Sequence, residues 1–360
     1  MPLRVRAFLP YPVNRVPGQR FRIEQWAPLL LREDVQVTFS PFLSPRAMDV
    51  LYQRGHTLLK ITETLGGYGR RFRESRQVDT FDVAFVYREA APLAPAVLER
   101  QILGSMPMVL DFDDAIYLPP AHPGNPWVAW LKDTDKTDML CQLARHVTVG
   151  NETLARHARS RSRAVTVLPT TIDTDIYVPS ERVAHPRPVV GWSGSLTTLP
   201  YLAGLHETLL ALRGRVDFEL RVIGGEISLP GLDVKCRPWR AETEVRDLQD
   251  LDVGLMPLPD DPWTQGKCGL KALQYMALGI PAVVSPVGVN AEIVGNGVDG
   301  FHASTPGEWV SHLARLIGDA ALRARLGAEA RRTVEARYSA RGQAPRLAEV
   351  FREAAGKRPG

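Results

Sequence analysis

The sequence predicts an α/β protein built as two parallel-sheet halves. Short apolar runs rich in β-branched residues recur along the chain, and a stretch of helical composition separates each from the next. That alternation is expected of strands buried on both faces of parallel sheets. At 360 residues and 44% hydrophobic, the chain is large enough to bury two ordinary cores. Pro169, Pro179, Pro186 and Pro188 mark the stretch up to Val189 as the best linker, and the strand pattern restarts there.

Composition narrows the function. No segment approaches the ~18 consecutive apolar residues that span a bilayer, and nothing at the N-terminus resembles a signal peptide. Cys141, Cys236 and Cys268 have neither an even count nor metal-ligand spacing, which fits a reducing cytoplasm. A net charge of +4 and a pI near 9.0 are too weak for a nucleic-acid protein. They suit a partner that carries phosphate or an anionic membrane.

The first strand, VRAFLP, runs into a loop with two prolines and Gly18, then an amphipathic helix. A glycine at a strand-to-helix turn lets the backbone approach a ligand closely, and equally serves as a plain turn residue beside a surface Arg20. VQVTFS is the second strand, and Ala47 to Phe72 reads as helix with a break near Gly66 and Gly67. Between Arg54 and Arg76, six basic residues (Arg54, Lys60, Arg70, Arg71, Arg73, Arg76) face two acids, Glu63 and Glu74. Such a surface fits anionic headgroups, although most charge runs are solvated faces. FDVAFVY, a helix from Pro92 to Leu103 and PMVLDF continue the alternation.

Asp111, Phe112, Asp113 and Asp114 follow the last of these strands. As D-x-D they would hold a divalent cation through carboxylate oxygens; otherwise they cap the next element or pair with arginine. Asp114 to Trp130 is a proline-rich covering loop, Asp133 to Leu143 a helix, and HVTVGN a strand leading to Asn151 as the N-cap of a helix from Glu152.

The second half opens with PVVGWSGS and a helix over LTTLPYLAGLHETLLALRG. Gly191, Gly194 and Ser195 form a small-residue loop ahead of that helix, an arrangement that can cradle phosphate. DFELRVIGG, DVKCRPW and a helix near Glu242 to Leu251 lead to the most informative stretch, Asp252 to Asn290. There DVGLMP and PAVVS read as strands flanking a helix from Gly266 to Leu278, stopped by Gly279, Ile280 and Pro281. At about 100° per residue, Leu270, Leu273 and Ala277 share one face and Lys267, Lys271 and Gln274 a neighbouring one. Two ammonium groups one turn apart at the positive end of a helix repel each other, and an anion would relieve them. A solvated lysine face is the other reading.

This stretch resembles the donor-site region of glycosyltransferase family 4. The match is carried by Pro257, Leu258, Gln274, Tyr275, Met276, Ala277, Gly279, Pro281, Val283, Val284, Ser285, Pro286 and Gly288. Many members carry two glutamates eight positions apart where this chain has Gly266 and Gln274. It is similar instead to a branch with D-x-W-x-x-G-K-x-x-x-K-x-x-Q-Y-M-A, here Asp261, Trp263, Gly266, Lys267, Lys271 and Gln274. The resemblance covers the chain loosely and Val189 to Ser339 well.

The resemblance implies a GT-B fold, two Rossmann-like domains facing each other across a cleft. Residues 1–180 would form the acceptor-side domain, 189–338 the nucleotide-sugar domain, and 339–360 a helix crossing back. It implies a metal-independent enzyme without cofactor that moves a sugar from a nucleotide-diphosphate donor to a glycan, lipid-linked or small-molecule acceptor, with retained anomeric configuration, in polysaccharide biosynthesis. The cysteines add a cytoplasmic location, and the Arg54 to Arg76 run, read as a headgroup-binding surface rather than a solvated face, adds peripheral contact at the inner face of a membrane. The alternatives are an inverting GT-B transferase, a nucleotide-sugar epimerase, or a non-catalytic nucleotide-sugar-binding homologue.

By the same resemblance Lys267 and Lys271 stabilise the leaving diphosphate, and Asp113 is the strand-end acid facing acceptor and sugar. Gly18, Arg20, Gly194 and Ser195 meet the donor phosphates, Pro238 and Trp239 the base, and Gln274 the ribose. Asp261, Trp263 and Gln265 recognise the transferred sugar. An arginine and a lysine common in the loop after the first strand of the second domain are replaced by Trp192, Thr197 and Thr198.

Overall fold

The computed structural model describes residues 1–51, 53, 55–92, 95–119, 135–180 and 185–356. Contacts divide the chain into two compact units, Met1–Thr170 with Gln343–Gly360, and Thr171–Gly342.

The first unit holds strands β1 (Leu3–Leu9), β2 (Val35–Pro41), β3 (Val83–Tyr87), β4 (Met108–Phe112), β5 (His146–Val149) and β6 (Val165–Val167). They form one parallel sheet in the order β2-β1-β3-β4-β5-β6. The chain steps from β1 to β2 on one side and returns to β3 on the other, so its direction reverses between β1 and β3. Every residue of β3 and β4 is buried, which explains their unbroken apolar runs. Asn151 caps the Glu152–Arg159 helix by accepting the Leu154 N–H at 2.9 Å. From Gln343 on, the last helix, Ala340–Ala354, packs in this unit: the Phe351 ring meets Phe85 edge-on at 5.9 Å, and Arg352 donates to the Glu33 carbonyl.

Three expectations for this unit are corrected. The helix after Gly18 is split into Pro17–Arg22, a tight turn at Glu24–Trp26, and Ala27–Arg32. Pro28 explains the split, because its ring would clash with the carbonyl four residues earlier in a continuous helix. The break at Gly66 and Gly67 is absent, since one helix runs from Thr57 to Glu74. The interruption comes earlier, where Gly55 and His56 have φ of 81° and 55°. Gly67 is there for packing: a Cβ at this position would lie 2.7 Å from the Phe42 ring. The helix expected from Pro92 begins at Ala96. Arg54, the covering loop from residue 120 onward, residues 133–134 and linker residues 181–184 lie outside the described residues.

The second unit holds β7 (Val189–Ser193), β8 (Glu219–Ile223), β9 (Val234–Arg237), β10 (Val253–Met256), β11 (Ala282–Val284) and β12 (Gly300–His302). Their order is β12-β11-β10-β7-β8-β9, all parallel. Counted from β9 inward this is third, second, first, fourth, fifth, sixth, the Rossmann order, with the reversal between β7 and β10. Trp192, Leu209, Leu220, Leu255, Trp309 and Leu313 anchor its core.

Two helices expected to be continuous are broken here. The first divides into Leu199–Ala203 and His206–Arg213. The one expected from Gly266 to Leu278 divides into Pro262–Gln265 and Leu270–Ala277. Between them Gly269 has φ 70°, and a Cβ on it would fall 2.1 Å from Ile293 Cδ1, so both conformation and space require glycine. Lys267 therefore precedes the helix rather than sharing its face. No described helix is long and apolar enough to cross a membrane.

Candidate functional site

In an open parallel sheet, loops leaving the strands on either side of the reversal diverge to opposite faces and leave a crevice at the carboxyl ends. In the second unit those strands are β7 and β10. β7 ends at Ser193, whose N–H donates to the Tyr275 hydroxyl at 2.8 Å. Tyr275 belongs to the Leu270–Ala277 helix, is fully buried, and rests on Gly254 of β10, where a Cβ would lie 2.3 Å from its ring. Burial pushes the Tyr275 hydroxyl pKa up, keeping it neutral. One buried tyrosine thus fixes this helix against both strands.

Gly194 continues from β7 under the Trp192 ring, which a Cβ would meet at 2.4 Å. Its N–H donates to the Ile223 carbonyl at 2.9 Å, and the Ser195 N–H to Thr198 Oγ1 at 3.1 Å. Both amides, which the sequence offers to phosphate, are thus committed locally.

On the β10 side, the Leu258 N–H donates to Ser285 Oγ at 3.0 Å and ties the loop to the end of β11. Asp261 caps the Pro262–Gln265 helix in a capping box with Thr264, whose N–H it accepts at 2.8 Å. Gln265 donates to Asp260 at 2.9 Å. The Lys267 ammonium lies 5.7 Å from the Trp263 ring centroid. Lys271, second residue of the Leu270–Ala277 helix, places its ammonium 5.4 Å from the centroid of Trp192. A cation carried on the β10 side therefore reaches the last turn of β7, across the reversal, at a helix N-terminus.

The β9 end is organised by a residue the sequence did not single out. Glu244, 2% exposed, accepts the Trp239 indole N–H at 2.8 Å, the Gln274 amide at 3.0 Å and the Tyr177 hydroxyl at 2.5 Å. Gln274, 3% exposed, also donates to Tyr177 at 3.2 Å. Trp239 and Gln274 are thereby brought together through a buried carboxylate, with Pro238 exposed beside them. Gly224, at φ 96°, joins this corner to the β7 loop: a Cβ would lie 2.0 Å from the Gly194 carbonyl oxygen and 3.4 Å from Trp239 Cβ.

The first unit has its own reversal, between β1 and β3. Beyond β3, Arg88 adopts φ 62° and donates through Nε and Nη2 to Asp113 Oδ1 at 3.0 and 2.7 Å, and through Nη2 to Asp114 at 2.6 Å. The Tyr87 hydroxyl donates to the same Asp113 oxygen at 2.8 Å. Burial disfavours the Arg88 charge, but Asp113, Tyr87 and Asp114 outweigh it and raise its pKa well above the usual value. Burial raises the Tyr87 pKa as well. A Cβ on Gly18 would lie 2.6 Å from the Tyr87 hydroxyl and 2.9 Å from Asp113 Oδ2, so Gly18 and Asp113 are brought together. Arg20 lies over the Phe21 ring at 4.7 Å. Tyr87 reads in the sequence only as the end of an apolar strand, and Arg88 beyond it is not singled out there.

The D-x-D pair is not arranged as a cation site. Asp111 is buried in a two-pronged pair with Arg22, at 2.5 and 3.0 Å, and accepts from Thr148 at 2.7 Å. Burial raises its pKa, while Arg22 and Thr148 oppose the rise. Asp113 turns instead to Arg88. Among the described residues, no three His, Cys, Asp or Glu side chains are grouped to hold a metal.

Residues 187–319 match the family described as glycosyl transferases group 1. The whole chain superposes on sucrose-phosphate synthase from Thermosynechococcus elongatus with a TM-score of 0.72 at 15% identity, covering 98% of this chain and 99% of that one. A glycosyltransferase from Rickettsia africae superposes with a TM-score of 0.68 at 12% identity, covering 98% of each chain. Anabaena HepE in complex with UDP-glucose gives 0.66 at 17% identity, covering 98% of this chain and 100% of that one. No curated protein matches by sequence. The architecture is GT-B, with two Rossmann-like domains, and the protein is a glycosyltransferase.

Proposed function

We propose that this glycosyltransferase is a retaining enzyme of the family 4 type, in the branch that carries lysines in place of the paired glutamates. It takes a nucleotide-diphosphate sugar at the reversal point of the second unit and passes the sugar to a glycan, lipid-linked or small-molecule acceptor. The observation that carries this reading is Lys271, whose ammonium projects from a helix N-terminus to Trp192 where β7 and β10 part.

The chemistry explains why that cation matters. Glycosyl transfer passes through an oxocarbenium-like state in which the sugar gains positive charge and the leaving diphosphate gains negative charge. Fixed cations and a helix N-terminus aimed at the leaving group stabilise that state more than the bound donor. Lys267 and Lys271 are assigned this role. Gly194 and Ser195 flank the phosphates, and Asp261, Trp263 and Gln265 the sugar. Trp239 and Pro238 receive the base, and Gln274 serves the nucleotide through Glu244 and Trp239 rather than as a lone ribose ligand. Asp113, with Gly18 and Arg20, supplies ligand contacts in the first unit. A peripheral place at the inner face of a membrane belongs to the same reading.

HepE, a GT-B neighbour, is described in complex with UDP-glucose, which makes that donor the first to test. Thermal shift with UDP, GDP and dTDP and their sugars, followed by NMR of the product anomer, tests the proposal. Stabilisation by one nucleotide diphosphate and a product of unchanged anomeric configuration are expected. No stabilisation by any of them removes the donor site, and an inverted product removes retention.

A further inference from the structure

The Thr57–Glu74 helix of the first unit carries an exposed apolar stripe. At about 100° per residue, Leu58, Ile61, Leu65 and Phe72 fall within an arc of about 60°. Their exposures are 80%, 51%, 64% and 64%. Isolated exposed leucines are ordinary, but four large apolar side chains aligned along one helix are a contiguous face. A different face does the packing: Gly67 sits on Phe42, and Arg71, fully buried, donates to the carbonyls of Leu9, Ser40 and Ala90.

Charge is sorted in the same way. Both acids of the helix are engaged by its own unit, Glu63 with the Ser44 hydroxyl at 2.6 Å and Glu74 with Arg71 at 2.8 Å. Arg73 and Arg76 are exposed beside the stripe, and Arg76 lies over the Phe72 ring at 4.9 Å. The outward face is therefore apolar with a cationic margin.

We infer that this face docks the protein on an anionic lipid bilayer, with Leu58, Ile61, Leu65 and Phe72 entering the headgroup boundary and Arg73 and Arg76 meeting lipid phosphates. An amphipathic helix with an apolar face and basic flanks is suited to that position. A second copy of the chain is the poorer occupant, because a two-fold contact through this patch sets its arginines against themselves. The inference deepens the peripheral-membrane part of the proposed reading and stands independently of sugar transfer.

Sedimentation of the full chain with vesicles tests it. Binding is expected to phosphatidylcholine vesicles containing about 30% phosphatidylglycerol and not to phosphatidylcholine alone, and it should weaken as salt rises from about 0.1 to 0.5 M. Leu65→Ser with Phe72→Ser should lower binding about tenfold or more, and Arg73→Ala with Arg76→Ala should reduce both binding and its salt dependence. All four positions are exposed, so melting temperatures should stay at the wild-type value. Wild-type protein that ignores anionic vesicles, or serine variants that bind as wild type does, overturns the inference. So does a wild-type dimer, seen in analytical ultracentrifugation without lipid, that the serine variants convert to monomer. Donor turnover without vesicles should be unchanged in these variants, and Lys271→Met should still bind vesicles, so failure of docking and failure of sugar transfer are read separately.

Discussion

The two sheets reverse direction by the same rule, yet their reversal points carry opposite chemistry. In the first unit a carboxylate, Asp113, is gripped by Tyr87 and Arg88 over the backbone of Gly18. In the second, ammonium groups lie against tryptophan rings, Lys271 on Trp192 and Lys267 on Trp263. A guanidinium neutralises and orients an acid, whereas a ring face steadies a cation without using up an acceptor atom. The lesson is that the sheets supply position and the loops supply charge, so chemical role is decided residue by residue at the strand ends.

The comparison is broken most severely at Asp111, which stands two residues before Asp113 in the first unit. Arg22→Met leaves Asp111 buried with Thr148 but without its charged partner, and the loss of stability should be about 3–5 kcal/mol in denaturant unfolding. Turnover per folded molecule should hold, because Asp111 points into the core. If stability is unchanged and turnover collapses, Asp111 rather than Asp113 belongs to the site.

Next in size is the contrast between the reversal points themselves. Lys271→Met keeps most of the aliphatic stem but removes the cation, and turnover at saturating donor should fall about 10²–10³-fold, with Lys267→Met in the same range. Asp113→Asn should cost about 10²-fold and show most strongly against acceptor concentration. Near-wild-type turnover in both lysine variants would remove the leaving-group assignment and leave the first unit as the place to look.

Much of this arrangement was legible in the sequence, for identifiable reasons. Strands buried on both faces announce themselves as apolar runs, and Asn151, a short side chain before a helical pattern, announces its cap. The break before Leu270 did not show, because Gly269 is dictated by Ile293, a neighbour only in space. Gly67 misled in the other direction: a helical glycine costs about 1 kcal/mol, and here contact with Phe42 offsets it. Lys267 and Lys271 were legible as a pair of charges but not as a geometry, since their spacing assumed an unbroken helix. The Glu244 network was hidden altogether, because it joins residues 177, 239, 244 and 274.

That network sharpens the comparison on a smaller scale. Glu244→Gln keeps the shape but replaces one accepting oxygen with a donor facing Trp239, Gln274 or Tyr177. If Glu244 positions Trp239 for the base, the donor KM should rise about tenfold with kcat little changed, and the emission of Trp239 should shift. A Glu244→Asp variant should partly restore both. Equal losses in kcat and kcat/KM would place Glu244 in the chemistry instead.

The smallest expected effect distinguishes the units by acid sensitivity. His146 on β5 and His312 in the Pro306–Gly318 helix are both held below the ordinary 6.5, in each case chiefly by burial. A histidine that resists protonation when folded binds fewer protons than in the unfolded chain. Its contribution is intact above about pH 6.5 and is lost as pH falls from there through the depressed folded value. The surroundings differ. Protonated His146 would gain Glu353, 3.6 Å away, whereas His312 lies flat on Phe301 at 4.4 Å with its Nδ1 buried and unpartnered, and there Arg315 and His302 add to the depression against a partial offset from Glu308. The second unit should therefore give way first on acidification. Lowering the pH from about 7.5 to 5.5 should reduce the melting temperature, and His312→Gln should recover part of that drop while His146→Gln recovers less. A drop of the same size in His312→Gln as in the wild-type chain would show that the imidazole on Phe301 is not the acid-sensitive group.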